Sequence, residues 1–156
     1  MKTYNILSID EFKTNIENNS RLLGIDPGYK NIGFAICDEN KKVATPLKIL
    51  QKNKFAVLTK QINQIIKENN IKGIVIGNPI NMDGTSGRSS QSASDFAKNL
   101  SKNITIPITM WDERLSSKGA FNITKELSTN VTNRANKLDK NAAAFILQGA
   151  IDYLSN

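Results

Sequence analysis

Apolar residues keep two rhythms along this chain. Short β-like runs at 21–26, 31–38 and 43–50 are separated by brief turns, the first of them Pro27-Gly28. This spacing predicts three strands in an antiparallel meander. Over 54–70 the rhythm changes, and Val57, Leu58, Ile62, Ile65 and Ile66 fall at helical spacing. Ile71 to Gly77, with Ile74-Val75-Ile76 at its centre, reads as a buried parallel strand. A segment rich in turn formers follows over 78–88, from Asn78-Pro79 through Asp83-Gly84 to Gly87-Arg88. A helix over 89–102 carries Ala93, Phe96, Ala97 and Leu100 on one side. A strand over 104–111 leads into Trp111-Asp112-Glu113-Arg114. Ser116 is placed to cap a helix over 117–127. A polar stretch, 128–137, precedes a last helix over 138–154. Residues 1–20 read as an N-terminal extension with a short helix that Asp10 caps and that carries Phe12 and Ile16.

Three antiparallel strands followed by β-α-β crossovers predict an α/β fold, a mixed five-stranded sheet with helices on both faces. Residues 21–156 form one domain on this reading, with 1–20 appended. The strand pattern is similar to that of the ribonuclease H-like architecture.

Composition narrows the chemistry. The chain has 156 residues, one cysteine (Cys37) and no histidine. An intrachain disulfide is excluded, and a zinc site would lack its usual ligands. Ser-His-Asp and Cys-His catalysis are excluded too. Acid-base work falls to carboxylates, lysine, tyrosine or metal-bound water. The net charge of +7 is spread rather than gathered in a tail. That suits a polyanion such as nucleic acid, and equally a lysine-rich compositional bias. No apolar run approaches a membrane span, and Asp10 and Glu11 interrupt the N-terminus early. The cytoplasm is the expected location.

Three acidic sites fall at the ends of predicted elements. Asp26 ends the first strand, Asp112 and Glu113 end the last, and Asp139 opens the final helix. Asp139 precedes Ala142 and Ala143 by three and four residues, so it shares the side of the apolar stripe Ala142, Ala143, Ile146, Leu147, Ala150, Ile151, Leu154. If the first and last strands are neighbours, all three sites meet at one edge of the sheet. Converging carboxylates repel unless a cation binds, and hard oxygen ligands without histidine suit Mg²⁺ or Mn²⁺. The reading is a metal-dependent nuclease. Taken singly, each residue has a plainer role: Asp26 starting the Pro27-Gly28 turn, Asp139 capping a helix, Asp112 and Glu113 pairing with Arg114 or Lys118. Lys30, Arg88, Arg134 and Lys137 flank these loops as candidate phosphate contacts or as a solvated face.

Four segments resemble the YqgF/RuvX family: Gly24-x-Asp26-x-Gly28-x-Lys30-x-x-Gly33-x-Ala35; Gly77-x-Pro79-x-Asn81-Met82-Asp83-Gly84; Asp112-Glu113-Arg114-Leu115-Ser116-Ser117; and Asp139-x-x-Ala142-Ala143-x-x-Ile146-Leu147-Gln148. They come in family order over about 22–150. The resemblance implies a ribonuclease H-like, divalent-metal nuclease that matures the 5′ end of precursor 16S rRNA, a family also labelled a Holliday junction resolvase. By position it implies Asp26, Glu113 and Asp139 as catalytic metal ligands. Asp112 is the alternative to Glu113, because adjacent strand residues face opposite ways. Asn31, Pro27 and Asn78 depart from the family pattern without touching a ligand position.

The expected partners are nucleic acid, precursor rRNA ahead of branched DNA, together with ribosomal particles, the chain being a monomer or homodimer. Two other classes compete. Sugar kinases and actin-like ATPases share the Asp-x-Gly turn but need two such domains. A non-catalytic RNA-binding, ribosome-assembly factor is the other, and the retention of all three carboxylates argues against a purely binding role.

Overall fold

A computed structural model describes residues 5–28, 30–78, 88–112 and 131–155. Its elements are β1 (Ile6–Leu7), α1 (Ile9–Asn15), β2 (Arg21–Pro27), β3 (Asn31–Cys37), β4 (Ala44–Gln51), α2 (Phe55–Asn69), β5 (Ile71–Asn78), α3 (Arg88–Ser101), β6 (Ile108–Asp112) and α4 (Val131–Leu154). They build one mixed sheet in the order β1-β6-β5-β2-β3-β4. The meander is antiparallel, and β2, β5, β6 and β1 run parallel.

Helices cover both faces, as expected. On one face Leu23, Ile25, Ile74, Ile76 and Ile108 pack with Leu58, Ile62 and Ile65 of α2 and Ala97 and Leu100 of α3. Val57, which the helical spacing included in the stripe, is instead exposed, on the flank of α2. On the other face Leu22, Val75 and Trp111 pack with Phe12 of α1 and with Ala143, Ile146, Leu147, Ala150 and Ile151 of α4. Cys37 lies buried on that second face, where the Leu22 N–H donates to its Sγ at 3.3 Å. Burial pushes its thiol pKa up, as befits an inert core residue.

The structure corrects four further expectations. The sheet has six strands rather than five, because Ile6 and Leu7 pair in parallel with Ile108 and Thr109. Ser8, not Asp10, caps α1: the Glu11 N–H donates to Ser8 Oγ, and the Glu11 side chain reaches back in a capping box. The last edge-side strand begins at Ile108 rather than 104. The Asn5 side-chain amide donates to the Ile104 and Ile106 carbonyls, which holds 104–106 outside the ladder. Finally, α4 begins at Val131 rather than 138, so Asp139 lies about two turns inside the helix and does not open it. The expected helix over 117–127 lies outside the described residues.

Helix α4 sits on β2 where Gly24 has no side chain. A Cβ there would come within 2.7 Å of Leu147 Cβ and 3.1 Å of the Ala143 carbonyl oxygen. Gly24→Ala must push the helix off the sheet or strain it, and the expected loss is about 1–3 kcal/mol, read from denaturant unfolding. Phe12, fully buried, closes over Gly73. Phe12→Ala should cost about 3–5 kcal/mol. A melting temperature unchanged by that substitution would show that α1 is dispensable to the fold.

Candidate active site

Strands β2, β5 and β6 run parallel, so their carboxyl ends share one edge of the sheet. Ile25 is level with Ile76, and Ile76 with Met110. One residue on stands Asp26, and Asn78 pairs with Asp112. The first and last long strands are not the neighbours that the sequence reading supposed for the meeting of all three acidic sites. β5 lies between them, which puts β2 and β6 about 10 Å apart. Asn78 therefore ends the strand that separates Asp26 from Asp112.

Alternation assigns the faces. On β2, Leu22 packs with the α4 cluster, Gly24 lies under Leu147, and Ile25 points to α2 and α3. Asp26 follows Gly24 onto the α4 face and is half-buried. On β6, Ile108 and Met110 face α2 and α3, while Trp111 faces α4. Asp112 thus belongs to the face opposite Asp26. Glu113 lies outside the described residues.

Two glycines flank Asp26 on its own face. Gly33 is its antiparallel partner on β3, and Gly77 follows Ile76 on β5 at the same level. Neither adds a side chain beside the carboxylate. The turn beyond is tight: the Gly28 N–H donates to the Asp26 carbonyl at 2.9 Å, and a Cβ at Gly28 would collide with the Asn31 carbonyl oxygen. Only glycine fits there without moving the chain. Lys30 stands exposed on this turn, and its carbonyl accepts the Lys52 N–H at 2.9 Å.

Helix α4 is aimed at this edge. Gln148 Oε1 accepts the Ala44 N–H at 2.9 Å, and its Nε2 donates to the Lys42 carbonyl at 3.0 Å. Ala44 pairs with Cys37, level with the start of β2. Ala143 and Leu147 lie over Gly24, further along the strand. The helix therefore runs N-terminally toward the carboxyl end of β2. Asp139 is one turn beyond Ala143 on the same stripe. The side chains of Asp139, Arg88, Arg134 and Lys137, and the loop 79–87, lie outside the described residues. Among the described residues no three His, Cys, Asp or Glu side chains cluster to hold a metal.

The sequence reading named Trp111 and Gln148 within its motifs but gave neither a structural role. Trp111 is buried on Asp26's face of the sheet, where it meets Tyr153 edge to face at 5.7 Å. Alternation from Trp111 was the available signal that Asp112 turns away from α4.

Comparison with known proteins places this architecture. The family model described as "RuvX: Holliday junction resolvase" matches residues 20–153. A Pelagibacter ubique protein named "Putative pre-16S rRNA nuclease" is 51% identical over 151 residues, covering 97% of this chain and 100% of its own. A Ruegeria pomeroyi protein of the same name is 42% identical, over 96% and 97% of the two chains. Among solved structures, Thermus thermophilus RuvC in complex with a Holliday junction superposes with a TM-score of 0.54 at 12% identity, covering 88% of this chain and 96% of that one. The yeast mitochondrial Holliday junction resolvase Ydc2 gives 0.56 at 14% identity, over 94% and 84%. At such identities these two share the fold, a ribonuclease H-like one. With a family model matching residues 20–153 and relatives 51% and 42% identical over nearly their full length, the chain belongs to the RuvX family.

Proposed function

We propose that this nuclease processes the 5′ end of precursor 16S rRNA, with Asp26, Glu113 and Asp139 holding a divalent cation, Mg²⁺ or Mn²⁺. The observation that carries the reading is Asp26 itself. It stands on a rigid strand at the carboxyl edge, on the face toward which α4 runs, with glycines on both sides. Alternation from Trp111 to Asp112 leaves Glu113 as the next β6-side residue toward that face. The stripe through Ala143 and Leu147 carries Asp139 one turn closer to the edge.

The donor set fits a hard cation. Carboxylate oxygens without imidazole or thiolate match Mg²⁺ or Mn²⁺, and the flanking glycines leave room beside Asp26. Held by these carboxylates, such an ion would supply a water of lowered pKa and positive charge to offset that on the phosphate oxygens. The chain's own contribution is positional. β2 fixes the Asp26 carboxylate, the tight Gly28 turn lets a phosphate approach, and Lys30 on that turn supplies a positive charge. Arg88, Arg134 and Lys137 extend the phosphate contacts along α3 and α4. We read 21–156 as the nuclease domain and 1–20 as a segment serving its sheet. The relatives' name favours rRNA. The family model's description supports a second reading, resolution of branched DNA, which would call for a dimer acting on two symmetric strands. No described helix is long and apolar enough to cross a membrane. The proposed site of action is the cytoplasm, on ribosomal particles.

Purified protein with Mn²⁺ should cut precursor-rRNA 5′ ends in preference to four-way junctions, and the reverse preference would establish the second reading. Asp26→Asn should abolish cleavage with the melting temperature unchanged or raised, since one of several repelling carboxylates is gone. Glu113→Gln should behave alike, whereas Asp112→Asn should retain activity within a few-fold. Loss of cleavage in Asp112→Asn but not in Glu113→Gln would reverse the assignment.

Binding should weaken steeply with salt. Replacing Lys30, Arg88, Arg134 or Lys137 by alanine should lower the log–log salt slope by about 0.9 per lost contact on duplex and about 0.7 on single strands. Slopes unmoved by all four substitutions would show that phosphates are held elsewhere.

A further inference from the structure

We propose that a cleft on the α2/α3 side of this same edge holds one unstacked nucleobase of the bound strand. The inference rests on the nuclease reading above and adds a subsite to it. The cleft has a volume of about 180 Å³, and its walls include Gly28, Lys52, Phe55, Asp95, Phe96 and Asn99. Gly28 is two residues past Asp26, at most about 7 Å of chain. A nucleotide whose phosphate lies near Asp26 can therefore reach it.

The wall chemistry selects the occupant. Phe55 opens α2 and Phe96 lies on α3. Their rings meet edge to face, with centroids 5.9 Å apart at 77°. Such a pair uses up only one face of one ring. Both side chains are half-buried: they pack against the core on one side and line the cleft on the other. Asp95 and Asn99 are one helical turn apart on α3, and both are exposed. The Asn99 amide offers a donor and an acceptor together. The Asp95 carboxylate accepts from Gln91 Nε2 at 3.0 Å and has further lone pairs. Lys52, also exposed, adds one cation at the rim.

A bare phosphate would leave both rings unused and would meet the like charge of Asp95. A purely apolar ligand would leave the amide and carboxylate unmatched. A flat heteroaromatic ring with edge donors and acceptors, tethered to a phosphate near Lys52, satisfies all of them. A base stacked inside a duplex cannot enter such a cleft, so the subsite selects an unpaired nucleotide.

The test uses the full chain in EDTA, which prevents cleavage, and two single-stranded probes. One is a short oligouridine RNA, and the other is an abasic strand with the same number of phosphates. Wild type should bind oligouridine roughly five- to a hundred-fold more tightly. Phe96→Leu, which keeps an apolar side chain at the site, should bring oligouridine down toward the abasic affinity. It should leave abasic binding and the salt slope unchanged. Asn99→Ala, at an exposed position, should lower oligouridine affinity several-fold and leave the abasic strand alone. Equal wild-type affinity for both probes overturns the proposal. So does a base preference that survives in both variants, because the base is then held elsewhere. Cleavage with Mn²⁺ is assayed on the same preparation. Cleavage without base preference sinks the subsite alone, and base preference without cleavage sinks the nuclease reading alone.

Discussion

Helix α4 rests on β2 at the one place where the strand has no side chain to hold it away. Leu147 and the Ala143 carbonyl occupy the space that a Cβ at Gly24 would need. This contact sets the distance between helix and sheet, and Gln148 sets the angle by clasping the backbone at Lys42 and Ala44. Together they direct the N-terminal half of α4 toward the carboxyl edge. The Gly24 contact lies two residues from Asp26, and Ala143, on its helix side, lies one turn from Asp139. An error in seating would therefore be carried to the proposed ligands with little attenuation, because strand and helix are both stiff. Gly24 belongs to the packing of the fold, yet the geometry of the site hangs on it.

The N-terminal segment has a similar hold on the other side of the edge. Asn5 accepts the Ile108 N–H on its carbonyl at 2.9 Å, and its side-chain amide ties down the Ile104 and Ile106 carbonyls. Ser101 Oγ donates to Asn5 Oδ1 at 2.8 Å and links the end of α3 to the same residue. These bonds decide where the ladder of β6 begins, and so which residues of β6 face α4. A shift by one would exchange the faces of Trp111 and Asp112. Residues that read as an appendage in the sequence thus help to fix the register on which the choice between Asp112 and Glu113 depends.

Local signals made much of the fold legible. Period-two runs separated by short turns produced the meander, and the spacing of Leu58, Ile62 and Ile65 produced α2. What escaped was non-local or weakly patterned. β1 is two residues long and exists only because β6 lies beside it, so no periodicity could announce it. Ile104 and Ile106 alternate like strand residues, but Asn5, a hundred residues away in sequence, takes their carbonyls. The first turns of α4 are polar, and the apolar spacing Val131, Ala135, Leu138 is too sparse to outweigh Thr132, Asn133 and Asn136. At the site, Asp26 was legible because its turn, its glycines and its strand end are all local. The order of the strands was not, and the assumption that the first and last were neighbours failed for that reason.

The edge also bears on the form of the substrate. Asp26 stands on the α4 face, whereas the cleft beside Gly28 opens on the α2/α3 face. A strand that uses both must turn over the rim of the sheet, with a phosphate on one side and a base on the other. Stacking in a duplex resists this, since a base can leave the helix only when its pairing and stacking energy is given up. An unpaired RNA end gives up much less. Among the described residues, the glycines at 28, 33 and 77 add no side chain to this edge. With the proposed Asp26 site on one face and the proposed base cleft on the other, trimming of a single-stranded end asks less unstacking of the substrate than cutting of stacked junction arms, and on this reading the preference would come from the shape of the edge rather than from any one catalytic group.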